Sequence, residues 1–236
     1  MDKIKKALVT GGTRGIGLAI AEALRDAGYE VVVTGTAKDG KAPKGCGYLG
    51  CNFLDLSALE SFAAKTGEME FSVLINNAGI NKVGPLSDYD PKDFFQIQQV
   101  NVTAPFLLTQ AIVPGMCKNS FGRILNITSV FSVVSKAGRT AYSASKSALL
   151  GLTRSLALEV AKDNVLVNCL APGFVDTKLT RDILGEKGIA EMTARIPMGR
   201  LATPKEIACY AKFLVSEENT YLTGQHIIVD GGFTGE

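Results

Sequence analysis

The sequence predicts an α/β fold: a doubly wound, Rossmann-like parallel sheet of about seven strands, with helices on both faces, in a single domain. Three observations predict it. Short β-branched runs alternate with stretches of helical periodicity along nearly the whole chain. The first apolar run ends in a glycine-rich turn that opens a helix. The polar and glycine clusters Thr10–Gly17, Thr34–Thr36, Asn76–Gly79, Ser129 and Pro172–Thr177 each follow a strand run, where ligands gather in such sheets.

Ile4–Val9 reads as the first strand, and Ile16–Ala27 as a helix with Ile16, Ile20, Ala23 and Leu24 along one face, stopped by Gly28. Glu30–Thr34 is the second strand. The polar segment 35–47 after it is short for a crossover helix. Tyr48–Cys51 is the third strand, Leu56–Thr66 a helix and Phe71–Ile75 the fourth strand. Pro91–Val100 and Val102–Met116 form two helices or one bent helix. Arg123–Thr128, Val165–Leu170 and His226–Val229 complete the strands. Ala141–Ala161 and Pro204–Val215 are helices, the latter with Pro in its first turn. Phe174–Leu201 reads as irregular or weakly helical. Gly185, Gly188 and Gly199 would let this segment, 174–201, act as a mobile substrate lid within a domain that spans 1–236.

Composition narrows the function. The chain has 236 residues, 46% hydrophobic and 20% charged, with 25 basic against 23 acidic residues. A net charge of +2 is too small for a general polyanion binder, so no nucleic-acid partner is expected. The five cysteines are scattered without a CxxC pair, which suggests reduced thiols. With His226 the only histidine and no ligand spacing, no metal site is expected, and His226 reads as a plain strand residue. The N-terminal apolar segment is too short for a signal peptide, and no apolar run approaches membrane-spanning length. The expectation is a cytoplasmic protein with no membrane partner.

The turn Thr10-Gly11-Gly12-Thr13-Arg14-Gly15-Ile16-Gly17 lets backbone approach a pyrophosphate at a helix N-terminus; taken alone, it is also a tight strand-to-helix turn. Its candidate cofactor residues are Gly11, Thr13, Arg14, Gly15, Ile16 and Gly17. The second strand ends in Thr34-Gly35-Thr36, where an NAD-selective site would carry a carboxylate. With Arg14 able to pair with a 2′-phosphate and Thr36 able to hydrogen-bond it, the cofactor is expected to be NADP(H); Asp39 is the nearby acidic residue. Asn77, Ala78 and Gly79 would let a ribose lie against the backbone. Asn77 could bond either ligand or neighbouring chain.

Tyr142 and Lys146 stand one helical turn apart on one face. An ammonium beside a phenol favours the phenolate, which suits a group that must give and take a proton. Ser129 can hold a substrate oxygen. Asn101 is either a helix N-cap or the holder of a water that reaches Lys146. A Tyr-x-x-x-Lys pair by itself is a common helix face; the ordered set Asn101, Ser129, Tyr142, Lys146 after a glycine turn is far more specific.

On these motifs the chain resembles the short-chain dehydrogenase/reductase family over nearly its whole length: TGGTRGIG at 10–17, NNAG at 76–79, Asn101, Ser129, YSASK at 142–146 and APGFVDT at 171–177. The resemblance implies that Asn101, Ser129, Tyr142 and Lys146 form a catalytic tetrad, with Tyr142 and Lys146 also contacting cofactor. It implies that Pro172, Gly173, Val175 and Thr177 hold the nicotinamide carboxamide, and that Asn52, with Phe53 beside it, contacts adenine. Within the family, VTGTAKDG, APGFVDTKLTRDI and IPMGRLATPKEIA are similar to 3-oxoacyl-(acyl-carrier-protein) reductases. That likeness implies a 3-oxoacyl thioester substrate in fatty-acid synthesis, acyl carrier protein as partner, a carrier-docking role for Arg123 and a homotetramer. A second basic docking position falls on Asp163. The alternatives are a sugar, polyol or small-alcohol dehydrogenase of the same family, and a non-catalytic dinucleotide-binding regulator.

Overall fold

The computed structural model describes residues 5–235, so Ile4 of the expected first strand lies outside the described residues. The described chain runs β1 (Lys6–Val9), α1 (Gly15–Asp26), β2 (Glu30–Gly35), β3 (Gly47–Gly50), α2 (Leu56–Gly67), β4 (Val73–Asn76), α3 (Pro91–Gln98), α4 (Ala104–Lys118), β5 (Gly122–Ile127), α5 (Thr140–Val160), β6 (Val165–Pro172), α6 (Lys178–Arg195), α7 (Pro204–Val215) and β7 (His226–Val229). The seven strands form one sheet of order β3-β2-β1-β4-β5-β6-β7. All six neighbouring pairs are parallel. The order reverses between β1 and β4, so the turns after these two strands flank a crevice at the carboxyl edge of the sheet.

Alternation along the strands sorts side chains into two cores. Ala7, Val9, Val31, Val33 and Ile75 pack with α1 and α7 on one face. Leu8, Val32, Leu74, Ile124 and Val167 pack with α2 and α4 and the end of α5 on the other. Each fully buried Leu or Ile contributes about 1.5–3 kcal/mol relative to exposure, which makes the sheet centre a rigid base for the turns it carries.

Helix ends follow local chemistry. Asp55, Asp90 and Thr177 accept first-turn N–H bonds at the starts of α2, α3 and α6. Thr203 and Glu206 form a capping box on α7, with Pro204 in its first turn. The α1 N-terminus, by contrast, has Arg14 at the cap position with no side-chain cap, leaving its first N–H groups to other partners.

The structure sharpens or corrects the sequence reading in three places. The segment 174–201, expected to be irregular or weakly helical, contains the helix α6, broken by Gly185 at φ 62°. Glycines at 185 and 188 weaken the helical pattern in sequence, by about 1 kcal/mol each, whereas the cap at Thr177 and the buried Met192 support it here. The base of the segment is pinned, since Ala202 N donates to Phe174 O at 2.9 Å and Asp176 N to Ala202 O at 2.8 Å. Second, of the two options for this stretch the structure takes the single helix: α3 and α4 are joined through a π-helical turn, Gln99–Thr103, into one run, 91–118. By length and composition that 28-residue run could cross a membrane, contrary to expectation. It instead contributes Val100, Ala104, Leu108, Ile112 and Met116 to the core.

Third, Arg123 is not a docking residue on the surface. It is only 2% exposed, in β5. Its guanidinium donates to the carbonyls of Gly122 at 2.8 Å, Asn164 at 2.9 Å and Asn219 at 3.1 Å, and more weakly to Ser216. Burial holds its pKa below the usual value. A strand position on the core side sequesters the charge as a clasp between chain ends. Arg123→Met is therefore expected to lower unfolding stability by roughly 2–4 kcal/mol, because several buried carbonyls lose their donor. Urea denaturation checks this; an unchanged midpoint would return Arg123 to a surface role.

Candidate active site

The glycine turn is held from below by Thr10, which is 2% exposed. Its hydroxyl accepts N–H bonds from Asn77 at 2.9 Å and Ala78 at 3.0 Å, tying the turn after β1 to the turn after β4. The Asn77 amide donates to Thr10 O at 2.9 Å and Gly11 O at 3.3 Å. Of the two options for Asn77, its side chain takes the neighbouring chain. Gly17 is required by packing, since a Cβ there would sit 2.4 Å from Asn77 Nδ2 and 2.5 Å from Gly11 O. Gly15 is required by conformation, at φ +57°. Ile16 packs against the core beneath the loop.

Thr13 and Arg14 are exposed on this turn, and Thr36 is exposed at the end of β2. None of the ion pairs among the described residues involves Arg14. A pyrophosphate is thus offered uncapped N–H groups at α1, and a 2′-phosphate is offered a free guanidinium with no carboxylate at the end of β2. The donor set fits NADP(H). Asn52 is exposed, its Oδ1 accepting from Leu54 N at 3.1 Å. Phe53 points the other way: it is 5% exposed and its ring lies 6.2 Å from that of Phe62. Its ring is therefore not offered to an adenine, and its carbonyl accepts from Gln99 Nε2 at 2.9 Å.

At the end of β6, Gly173 N donates to Val229 O at 2.9 Å, and Pro172 closes the strand. Val175 is 3% exposed and packs into the core. Thr177 caps α6 and stands against the glycine turn, with its Cγ2 3.6 Å from a Cβ built on Gly15.

The four residues expected to react lie around one spot. Asn101 is fully buried in the π-helical turn, not at a helix start, so it is no N-cap. Its Oδ1 accepts from Ile80 N at 2.9 Å, and its Nδ2 donates to Ile80 O at 3.0 Å and Ser145 Oγ at 3.0 Å. Ser145 in turn donates to Tyr142 O at 2.7 Å. A Cβ on Gly79 would lie 3.3 Å from Asn101 Oδ1 and 3.5 Å from Lys146 Nζ, so Gly79 borders both. Lys146 Nζ donates to Ile127 O at 2.8 Å and sits 5.6 Å from the Tyr142 ring centroid. Ser129 follows β5, and its hydroxyl acts on the Tyr142 phenol to lower its pKa.

Electrostatics corrects one expectation. Burial raises the Tyr142 phenol above its ordinary value, opposed by the bond to Ser129 and the charge of Arg139. Lys146 is not what lowers it. Burial instead pushes the Lys146 ammonium down to about 8.

Sequence reading missed several participants. Thr10 and Ser145 stood inside quoted motifs without a role. His226 Nε2 lies 3.1 Å from both Thr128 Oγ1 and Ser132 Oγ, the hydroxyls on either side of Ser129 in the chain. Both hydroxyls already donate to carbonyls, of Leu170 and Ser129, so Nε2 carries the proton and His226 braces the serine turn. Phe131 meets Tyr142 edge-on at 6.4 Å and Phe174 at 6.0 Å, building an aromatic wall.

Comparison with known proteins fits this geometry. The sequence profile of the family described as enoyl-(acyl carrier protein) reductase matches residues 11–234. The 3-oxoacyl-(acyl-carrier-protein) reductase FabG of Vibrio cholerae is 40% identical over 237 residues, covering 97% of this chain and 96% of the relative. A Beutenbergia cavernae structure with bound NADP, assigned as an NAD(P)-dependent gluconate 5-dehydrogenase, superposes with a TM-score of 0.92 at 34% identity, covering 98% and 97% of the two chains. The gluconate 5-dehydrogenase of Burkholderia cenocepacia, in complex with NADP and tartrate, gives a TM-score of 0.92 at 28% identity, covering 98% and 96%.

Proposed function

This chain belongs to the short-chain dehydrogenase/reductase family, and from that premise we propose that it reduces 3-oxoacyl thioesters to 3-hydroxyacyl thioesters, with Tyr142 as the proton donor. It is an oxidoreductase that uses NADP(H). The bound dinucleotide supplies the hydride. The observation that carries the residue roles is the junction of Tyr142 with Ser129 beside Lys146, at the carboxyl edge of the sheet. A phenol held above its ordinary pKa is fully protonated at neutral pH, as a general acid in reduction must be. Ser129 steadies the carbonyl oxygen that receives this proton. Lys146 holds the nicotinamide ribose. Asn101 keeps the turn at Ile80 and the start of α5 in register through Ser145, and so sets where Lys146 stands.

The thioester substrate is supported by the likeness to the Vibrio reductase along 97% of the chain. Acyl carrier protein enters as the thioester carrier on the same ground, with no contribution from Arg123. The second reading, oxidation or reduction of sugar acids, is favoured by the two gluconate 5-dehydrogenase structures. Initial rates with NADPH on acetoacetyl thioesters, carrier-linked and free, against 5-oxogluconate and simple ketones test the choice. Activity confined to the sugar acid would overturn the thioester reading.

Arg14 and Thr36 would hold the 2′-phosphate. Arg14→Ala is expected to raise KM for NADPH roughly 10- to 100-fold, the worth of a charged hydrogen bond, with KM for NADH little changed. An equal effect on both cofactors would remove the 2′-phosphate role. Segment 174–201 would cover the substrate, hinged where Gly185 and Gly199 take positive φ. A cytoplasmic homotetramer completes the reading. It is supported by apolar side chains left on outer faces: Leu158, 86% exposed on α5, with Phe106 on α4 and Ile228 on β7.

A further inference from the structure

Arg139 opens α5, one turn before Tyr142, and it is 5% exposed. A guanidinium removed from water normally meets a carboxylate or a set of carbonyls, because an uncompensated buried charge is costly. Arg123 shows the satisfied case in this chain. Arg139 does not follow it. Its Nε has no hydrogen-bond partner among the described residues, and none of the ion pairs among them involves it. Its Cζ lies 5.4 Å from the ring centroid of Phe131, the same ring that stands edge-on to Tyr142 at 6.4 Å. Its charge reaches Tyr142, and burial pulls its own pKa below the usual value. The cation is therefore held near the reacting phenol, against an aromatic wall, with its buried Nε–H unspent.

We propose that Arg139 is a substrate-binding residue whose guanidinium takes a second acceptor oxygen of the substrate, carried close to the carbonyl that Tyr142 protonates. This rests on the reading of Tyr142 as proton donor to a carbonyl, and it names the substrate class: 1,3-dicarbonyl compounds, in which the second oxygen belongs to a thioester carbonyl or to a free carboxylate. Such an oxygen completes the hydrogen bonding of the buried cation and fixes the ketone against Ser129 and Tyr142. A monoketone offers Arg139 nothing and leaves its charge uncompensated.

The test compares wild type, Arg139→Gln and Arg139→Lys with NADPH on acetoacetyl-N-acetylcysteamine, acetoacetate and a monoketone of similar length. Arg139→Gln is expected to lower kcat/KM for the dicarbonyl substrates roughly 10- to 100-fold, chiefly through KM, and to change the monoketone about twofold or less. Arg139→Lys should fall between, because it keeps the charge without the planar fork. The melting temperature of Arg139→Gln should hold or rise, since an uncompensated buried charge is removed. Higher wild-type activity on the thioester identifies the thioester carbonyl as the oxygen bound, and higher activity on acetoacetate the carboxylate; both support the proposal. Equal losses on all substrates, or a lower melting temperature with proportionate loss throughout, overturn it in favour of a structural arginine. Failure of the underlying reading looks different: wild type would then reduce none of these carbonyls.

Discussion

Tyr142→Phe is expected to cut turnover roughly 100- to 10,000-fold, the range that a positioned general acid supplies, while NADPH affinity stays near wild type. The phenol is the group that the Ser129 hydroxyl acts on, and its ring lies 5.6 Å from the ammonium of Lys146. Its removal takes away the proton donor and leaves an aromatic ring of the same shape against Phe131. The glycine turn, Thr36 and the backbone at 172–177 are untouched. The check pairs steady-state kcat with a fluorescence titration of NADPH. Turnover within a few-fold of wild type would remove Tyr142 from the chemistry. Loss of NADPH binding as well would point to a collapsed site.

Lys146→Met should cost roughly 100- to 1,000-fold in kcat/KM, the cost of deleting one preorganised charge from a site closed to water. The ammonium is 4% exposed and is anchored on Ile127 O, so little around it can take over its role. The pH profile follows from the same burial. With its pKa lowered to about 8, Lys146 is charged below that pH and neutral above it. Tyr142, raised above its ordinary value, stays protonated across the same window. Reduction should therefore be flat at neutral pH and fall as pH rises through about 8, with the falling limb belonging to Lys146. Lys146→Arg keeps its charge at all working pH values and should move that limb upward. An unmoved limb in this variant would assign it to another group.

How much of this was legible in the sequence follows from how local each signal is. Strand and helix periodicities were visible because each element faces a core on a fixed side; β5, α5, α7 and β7 fall within a residue of their expected ends. The helix α6 was obscured by Gly185 and Gly188, whose cost is local, while the packing of Met192 that offsets it is not. The π-helical turn at Asn101 left no periodic trace, because it shifts the helix register by a single residue. Thr10 and Ser145 gave no sign of their roles, since a threonine or serine looks the same whether its hydroxyl faces water or ties two turns together.

By itself the sequence determined the alternation of strands and helices, the glycine turn, the one-turn spacing of Tyr142 and Lys146, and the lack of a carboxylate at the end of β2. These are properties of neighbours along the chain, set by backbone sterics and helix period. The tertiary structure decided which charges are sequestered and which are left to a ligand. Arg123 and Arg139 are both buried, yet one is spent on carbonyls of the chain and the other keeps an unpartnered Nε near Tyr142. The proton affinities of Tyr142 and Lys146 were likewise decided by burial rather than by their mutual spacing. Desolvation depends on every atom packed around a group, and those atoms come from the turn after β4, from β5, the π-helical turn and α5 together, tens of residues apart in the chain.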